Sequence, residues 1–251
     1  MSVVEDLPIT RLLPNILTLL ALCSGLTAMQ MALQGKWENA VIAIVAASVF
    51  DVLDGRVARM LNIASKFGAE LDSLSDCVSF GVAPGFVLYL WILQGGGSLG
   101  WAAVMILAIC TALRLARFNT MLDSHAVPVW AKSFFTGVPA PAGAGLAIFP
   151  LILFLAFGEE AKLPSQVVAV WVIVVGGLMV SRVPTMSLKG RRIARFLVVP
   201  AMVGVAALVA MLITNTWITL SGVAFLYIVM LPYGWYSYNK LARADGGSGK
   251  K

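Results

Sequence analysis

The sequence predicts an all-α integral membrane protein of about eight transmembrane helices, with both termini cytoplasmic. Three observations carry this. Of 251 residues, 60% are hydrophobic and only 12% charged, with a mean hydropathy of +0.91; a soluble domain carries about 25% charged residues. The apolar residues form eight continuous runs of roughly spanning length. The basic residues fall almost entirely on one side of those runs. A soluble enzyme, a disordered chain and a secreted disulfide scaffold are excluded.

The runs are 17–33, 40–60, 69–93, 101–118, 140–157, 167–180, 196–213 and 217–233. A span needs about 20 predominantly apolar residues, so 167–180 is short and must borrow from its flanks. Continuous Leu, Ala, Val and Ile stretches do not suit a β-barrel, which alternates over about ten residues. Between the third and fourth runs, Gly95-Gly96-Gly97 reads as an uncharged turn. Gly137, Pro139 and Pro141 shape the entry to the fifth helix, because proline restricts the backbone and is tolerated in a first turn. Trp37, Trp91, Trp101, Trp217 and Tyr233 lie near run ends, as interfacial anchors do. Cys23, Cys77 and Cys110 have no CxxC spacing and read as small core residues. There is no convincing repeat and no second domain: residues 1–241 make one membrane-embedded unit and 242–251 a flexible tail.

If every run crosses, sixteen of the eighteen Lys and Arg residues fall on one side, leaving only Lys36 and Lys162 opposite. Each of those two sits beside glutamates (Glu38; Glu159 and Glu160). By the positive-inside rule the basic side is cytoplasmic, which gives a multi-pass protein of the cell (inner) membrane. The net charge of +6 suits anionic membrane lipids and needs no nucleic acid.

Four carboxylates break the apolar pattern. Asp51 and Asp54 lie deep in the second run, and Asp72 and Asp76 at the start of the third. A charge at membrane depth costs about 2.5–3.5 kcal/mol on insertion scales, and the nearby cations Arg56, Arg59 and Lys66 lie toward the aqueous end. Each pair, spaced i,i+3 or i,i+4, shares one helix face. A short break at 61–66 predicts that the two helices are antiparallel and adjacent, so all four can point into one cleft near the cytoplasmic edge. Hard oxygen donors of this kind suit Mg2+ or Mn2+. Gly55, Ala58 and Gly68 would let a flat or phosphorylated ligand approach the backbone, and Arg59 is placed to reach a phosphate. An ion-coupled transporter is the rival class, but it would place polar residues at mid-depth in several helices, and here the acids gather at one edge.

The stretch Asp51-Val-Leu-Asp54-Gly55-Arg56-Val57-Ala58-Arg59, with Gly68, Asp72 and Asp76 following at fixed intervals, fits D-x-x-D-G-x-x-A-R-x8-G-x3-D-x3-D without a departure. It resembles the CDP-alcohol phosphatidyltransferase family. Softer stretches, Leu13-Pro14-Asn15-Ile16-Leu17-Thr18, Arg114-Leu115-Ala116-Arg117-Phe118-Asn119 and Phe135-Thr136-Gly137-Val138-Pro139-Ala140-Pro141, are similar to its bacterial serine-using branch. The resemblance covers roughly residues 10–235. It implies two divalent cations held by Asp51, Asp54, Asp72 and Asp76, with Asp76 as general base. Gly55, Ala58, Arg59 and Gly68 would receive the cytidine and phosphates. Transfer of the phosphatidyl group of CDP-diacylglycerol to L-serine with release of CMP, in a homodimer, is the implied activity. Choline, glycerol 3-phosphate and inositol are the alternative acceptors.

Arg114 and Arg117, with Asn119 close by, end the fourth run. They are candidates for the acceptor or a lipid phosphate, since arginine binds planar anions bidentately; topology alone would also account for them. His125 reads as a loop histidine, and Arg191, Arg192 and Arg195 as inner-rim anchors.

Overall fold

A stripe of small residues governs the packing of the first helix. The computed structural model describes residues 12–61, 63, 65–122, 134–181, 184–186 and 198–248; His125, Arg191, Arg192 and Arg195 lie outside them. Helix α1 (Leu13–Leu33) buries Thr18, Ala21, Gly25, Ala28 and Ala32 at three- and four-residue intervals, so neighbouring backbones come close. Along it lies α2 (Trp37–Met60), which buries Ala40, Val41, Ile44 and Ala47. Next, α3 (Lys66–Asp76) runs through a π-helical turn (Cys77–Val82) into α4 (Ala83–Trp91). Pro84 cannot donate to the carbonyl one turn back, and the widened turn sits just before it.

Hydroxyls lock this helix to α1. Ser75 and Ser79 donate to the carbonyls of Thr18 and Ala21 at 3.0 and 3.1 Å. A Cβ on Gly25 would lie 2.8 Å from Ser79 Cα. One expectation is corrected here: α2 and α3 do not pack as an adjacent pair. Both pack on α1 and make little contact with each other, because the close-approach surfaces belong to α1. A cleft remains between them.

The rest of the core is built around α5 (Ser98–Leu122), which packs against α8 (Ser165–Val180) and the π-helical turn. Gly81 abuts Thr111 there. The fifth run breaks into α6 (Ala140–Ala147) and α7 (Phe149–Phe157), bent by 46° where Pro150 removes a helical donor. As expected, prolines open α6. Gly137 (φ +81°) places its Cα against the carbonyls of Met179 and Ser181, leaving no room for a side chain. Gly95–Gly97 forms a tight turn ending at φ +59°. Phe80, Leu88, Leu107, Leu151 and Val172 are fully buried.

The chain closes with α9 (Val198–Thr214) and α10 (Thr216–Ser248). Among the described residues, each apolar run of the sequence is therefore a helix or a broken helix. Of the described helices, three have the length and apolarity to cross a membrane alone, and the bent pair, taken as one span, would make a fourth. At 24 residues α2 reaches about 36 Å, but it carries five charged residues, Glu38, Asp51, Asp54, Arg56 and Arg59. The surface is that of a membrane protein: Leu33, Val199, Met202 and Ile213 are each at least 67% exposed. The hydroxyls of Ser24, Thr27, Ser48 and Thr111 bond carbonyls four residues back in their own helices, which satisfies each hydroxyl without a partner helix.

Three local differences from the sequence reading stand out. A two-stranded antiparallel ribbon, β1 (Phe134–Thr136) with β2 (Pro184–Met186), adds a small β element to an otherwise helical protein. Cys23 is exposed and not a core residue, because α1 buries the opposite stripe. The backbone beyond Leu241 is helical as far as Ser248, where the composition suggests a tail.

Candidate active site

Helix geometry brings three of the four aspartates to one point. Asp51 on α2 and Asp72 and Asp76 on α3 each offer a carboxylate oxygen, and these oxygens lie within 4.8 Å of one another. Asp76 is buried at 8% exposure, just before the π-helical turn. Asp51 and Asp76 are within hydrogen-bond reach of each other. Asp54 stands outside the triad, although its charge bears on Asp51 and Asp72. It is buried at 5% exposure, and its Oδ2 accepts a 2.7 Å hydrogen bond from Thr18 Oγ1. The same hydroxyl is 3.0 Å from the Pro14 carbonyl; having one proton, it can serve only one of these acceptors well.

Charge is unbalanced at this point. Among the described residues the only ion pair is Lys162–Glu159, far along the chain. The counter-charge to Asp51 and Asp76 is Arg114 of α5. Asp72 Oδ1 is enclosed and has no hydrogen-bond partner. A buried acceptor of this kind costs about 1–3 kcal/mol unless something satisfies it. The donor set and the orphaned oxygen both fit a hard divalent cation. Two oxygens on one such ion stand at most about 4.2 Å apart, twice the usual bond length, so slight closure of the triad suffices.

Beside Asp72 opens a cleft of about 150 Å3. Pro14, Asn15 and Thr18 of α1 form one wall, Asp54, Gly55 and Ala58 of α2 another, and Ser65, Gly68 and Asp72 of α3 the third. Ser65 caps α3, accepting from Gly68 N–H at 3.0 Å, so the positive end of that helix faces the cleft, a favourable seat for phosphate. A Cβ on Gly68 would come within 3.1 Å of both Asn15 Oδ1 and Ser65 Oγ. Gly55 and Ala58 keep the α2 wall low. Arg59 folds back on its own helix, donating from Nε to the Gly55 carbonyl at 2.7 Å, and remains exposed beside Gly55.

The three candidates on α5 part company. Arg114 is half-buried beside the triad, with its Nε enclosed and without a partner. Arg117 instead reaches the Val180 carbonyl at the end of α8, at 3.4 Å. Asn119 donates to Ser73 Oγ at 2.9 Å, tying α5 to α3. Neither is brought to the aspartates.

Sequence reasoning missed Thr18 and Ser65 as site residues, and missed Tyr227. The phenol of Tyr227, on α10, interacts electrostatically with Arg114. Its signal was a tyrosine inside an apolar run, where a buried hydroxyl needs a partner. Thr18 and Asn15 lie in the Pro14-Asn15 stretch, where nothing in spacing announces a contact with α2 or α3.

A family model described as CDP-alcohol phosphatidyltransferase matches residues 11–180, and a second, described as CDP-alcohol phosphatidyltransferase 2, matches 197–232. The chain is 37% identical over 237 residues to the CDP-diacylglycerol–serine O-phosphatidyltransferase of Mycobacterium leprae, covering 92% of this chain and 77% of that protein. It is 40% identical over 205 residues to the protein of the same name from Mycobacterium tuberculosis, covering 80% and 71%. The archaetidylserine synthase of Methanothermobacter thermautotrophicus is 30% identical over 180 residues, covering 70% and 72%.

Proposed function

The chain belongs to the CDP-alcohol phosphatidyltransferase family, and on that premise we propose that it is a phosphatidylserine synthase. The reaction moves the phosphatidyl group of CDP-diacylglycerol to the hydroxyl of L-serine and releases CMP. One observation carries the site assignment: three aspartate carboxylates converge beside a cleft, with the half-buried Arg114 to balance them.

Asp51, Asp72 and Asp76, with Asp54 adjoining, are the residues to hold divalent cations, Mg2+ or Mn2+ in a pair. Bound there, the cations supply charge neutralisation to the pyrophosphate and the departing CMP. The protein's own residues do the rest. The cleft between α1, α2 and α3 receives cytidine and phosphates against Gly55, Ala58 and Gly68. The capped N-terminus of α3 and the cation of Arg59 at the rim favour their charge. Asp76, one helical turn further along α3 than Asp72, accepts the proton of the serine hydroxyl as the serine oxygen bonds to the β-phosphorus and the bond to CMP breaks. Thr18 holds Asp54 in one orientation so that it adds charge without turning away.

The acceptor assignment draws on the names of the relatives and on Arg114, which suits an acceptor bearing a carboxylate better than choline, which has none. Topology belongs to the same reading. Eight crossings put both termini and the aspartates on the cytoplasmic side of the cell membrane, with CDP-diacylglycerol and membrane lipids around a homodimer. Cysteines placed near Lys36 and Lys162 should then label from outside intact cells, and one near Lys66 only after permeabilisation; outside labelling at Lys66 would overturn the orientation.

Purified protein given CDP-diacylglycerol and a divalent cation should release CMP with L-serine, and not with choline, glycerol 3-phosphate or inositol offered separately. Equal or greater release with another acceptor would reassign the substrate and leave the site chemistry standing.

A further inference from the structure

Among the described residues, four enclosed side-chain polar atoms have no hydrogen-bond partner: Asp72 Oδ1, Arg114 Nε, Ser221 Oγ and Tyr227 Oη. Buried polar groups are nearly always paired, so each unpaired one calls for an explanation. In a membrane the demand is stricter, because no bulk water can enter to satisfy them. Ser221 lies early in α10. The other three belong to one neighbourhood: Arg114 interacts with Asp76, Asp51 and Tyr227, and Asp76 with Asp72.

A divalent cation held by the triad would answer Asp72, but not Arg114 or Tyr227. The arginine Nε can only donate, and the tyrosine hydroxyl has no hydrogen-bond partner. Two unsatisfied donors from different helices, which interact electrostatically with one another and of which Arg114 also faces Asp51 and Asp76, call for an acceptor that arrives with a ligand. We propose that Tyr227 of α10 and Arg114 of α5 form a two-donor oxyanion pocket beside the aspartates, and that it takes the carboxylate of the acceptor. A phosphate oxygen of the CDP-lipid offers the same chemistry and is the other source. The inference rests on the serine reading for the identity of the carboxylate, but not for the pocket.

The site thereby gains a wall that residues 11–180 do not supply. α10 packs against α7 and β2, and Tyr227 is the side chain it sends toward Arg114. Ligand recognition would then divide by region, the nucleotide end lying with α1, α2 and α3 and the acceptor end with α5 and α10.

The test compares wild type with Tyr227→Phe, which keeps the ring and removes only the hydroxyl. KM for L-serine and for CDP-diacylglycerol should be measured separately, together with the ratio of kcat/KM for L-serine to that for ethanolamine, which lacks the carboxylate. That ratio does not depend on how much of the preparation is folded. A lost hydrogen bond to a charged group predicts about a tenfold or greater rise in serine KM and a similar fall in the ratio, with kcat and the CDP-lipid KM near wild type. A rise confined to the CDP-lipid KM would overturn the carboxylate and assign the pocket to the lipid phosphate. No change in either KM or in the ratio would overturn the pocket altogether. Should wild type fail to use serine, the acceptor reading falls on its own, and the pocket then stands only if Tyr227→Phe raises the CDP-lipid KM.

Discussion

The two ends of the chain solve the membrane problem in opposite ways. From α1 to α4, small residues and hydroxyls draw the helices together: Gly25 abuts Ser79, and Ser75 and Ser79 bond α1 carbonyls. At the other end, α9 packs on α10 and meets little else among the described residues. Val199, Met202, Val203 and Val205 of α9 are each at least 63% exposed. A Cβ on Gly204 would meet nothing within 4 Å. The difference follows from what each region must hold. Four carboxylates repel one another and cannot share a cleft unless their helices are fixed, whereas an apolar surface facing lipid needs no partner. Tight packing here accompanies charge.

The largest effect should come from within the tight region and split its aspartates. Asp76→Asn keeps size but cannot accept a proton, and should lower kcat by at least about a hundredfold while CDP-diacylglycerol still binds with metal. Asp72→Asn should instead weaken that metal-dependent binding, measured by calorimetry or thermal shift. If Asp76→Asn abolished it equally, Asp76 would be a ligand and not the base.

Next is the hydroxyl that joins α1 to α2. Thr18→Val removes the bond to Asp54, worth about 1.5–3 kcal/mol for a charged acceptor. KM for CDP-diacylglycerol should rise about ten- to a hundredfold, with the serine KM little changed. An unchanged lipid KM would leave Asp54 without a role in the cleft.

A paired glycine substitution tests the comparison directly. Gly25→Ala forces α1 away from Ser79 and should cost about 1–3 kcal/mol as overpacking, seen as a lower Tm. Gly204→Ala should be neutral or stabilising by up to about 1 kcal/mol, since alanine is the better helix former. Destabilisation by Gly204→Ala would mean that α9 packs tightly on something besides this chain, such as a second copy.

The smallest effect is expected at Arg117. Its contact with the Val180 carbonyl resembles a cation at a helix C-terminus, worth about 0.3–1 kcal/mol. Arg117→Ala should lower Tm slightly and leave the serine KM alone, in contrast to Arg114→Ala, where that KM should rise. A raised serine KM in Arg117→Ala would return it to the acceptor site.

Patterns local along the chain were legible without coordinates. Continuous apolar runs specify helices because each must satisfy its own backbone, and every run is one. Carboxylates at i,i+3 and i,i+4 share a helix face, so all four aspartates could be expected to converge, and Asp51, Asp72 and Asp76 do. Prolines and positive-φ glycines marked the start of α6 and the turn before α5. What tertiary structure decided depends on which helix each face meets. Nothing in the spacing says that α1, not α3, is the neighbour of α2. The departure of Asp54 toward Thr18 follows from that packing, and so does the cleft that opens between α2 and α3. Arg114, Arg117 and Asn119 look alike as polar residues at a helix end, yet successive turns point them at the aspartates, at α8 and at α3. Tyr227 is more than a hundred residues from Arg114 along the chain, and only folding sets a hydroxyl on the last helix beside an arginine on the fifth. Periodicity assigns a side chain to a face of its own helix; what stands opposite that face is settled by packing among all the helices.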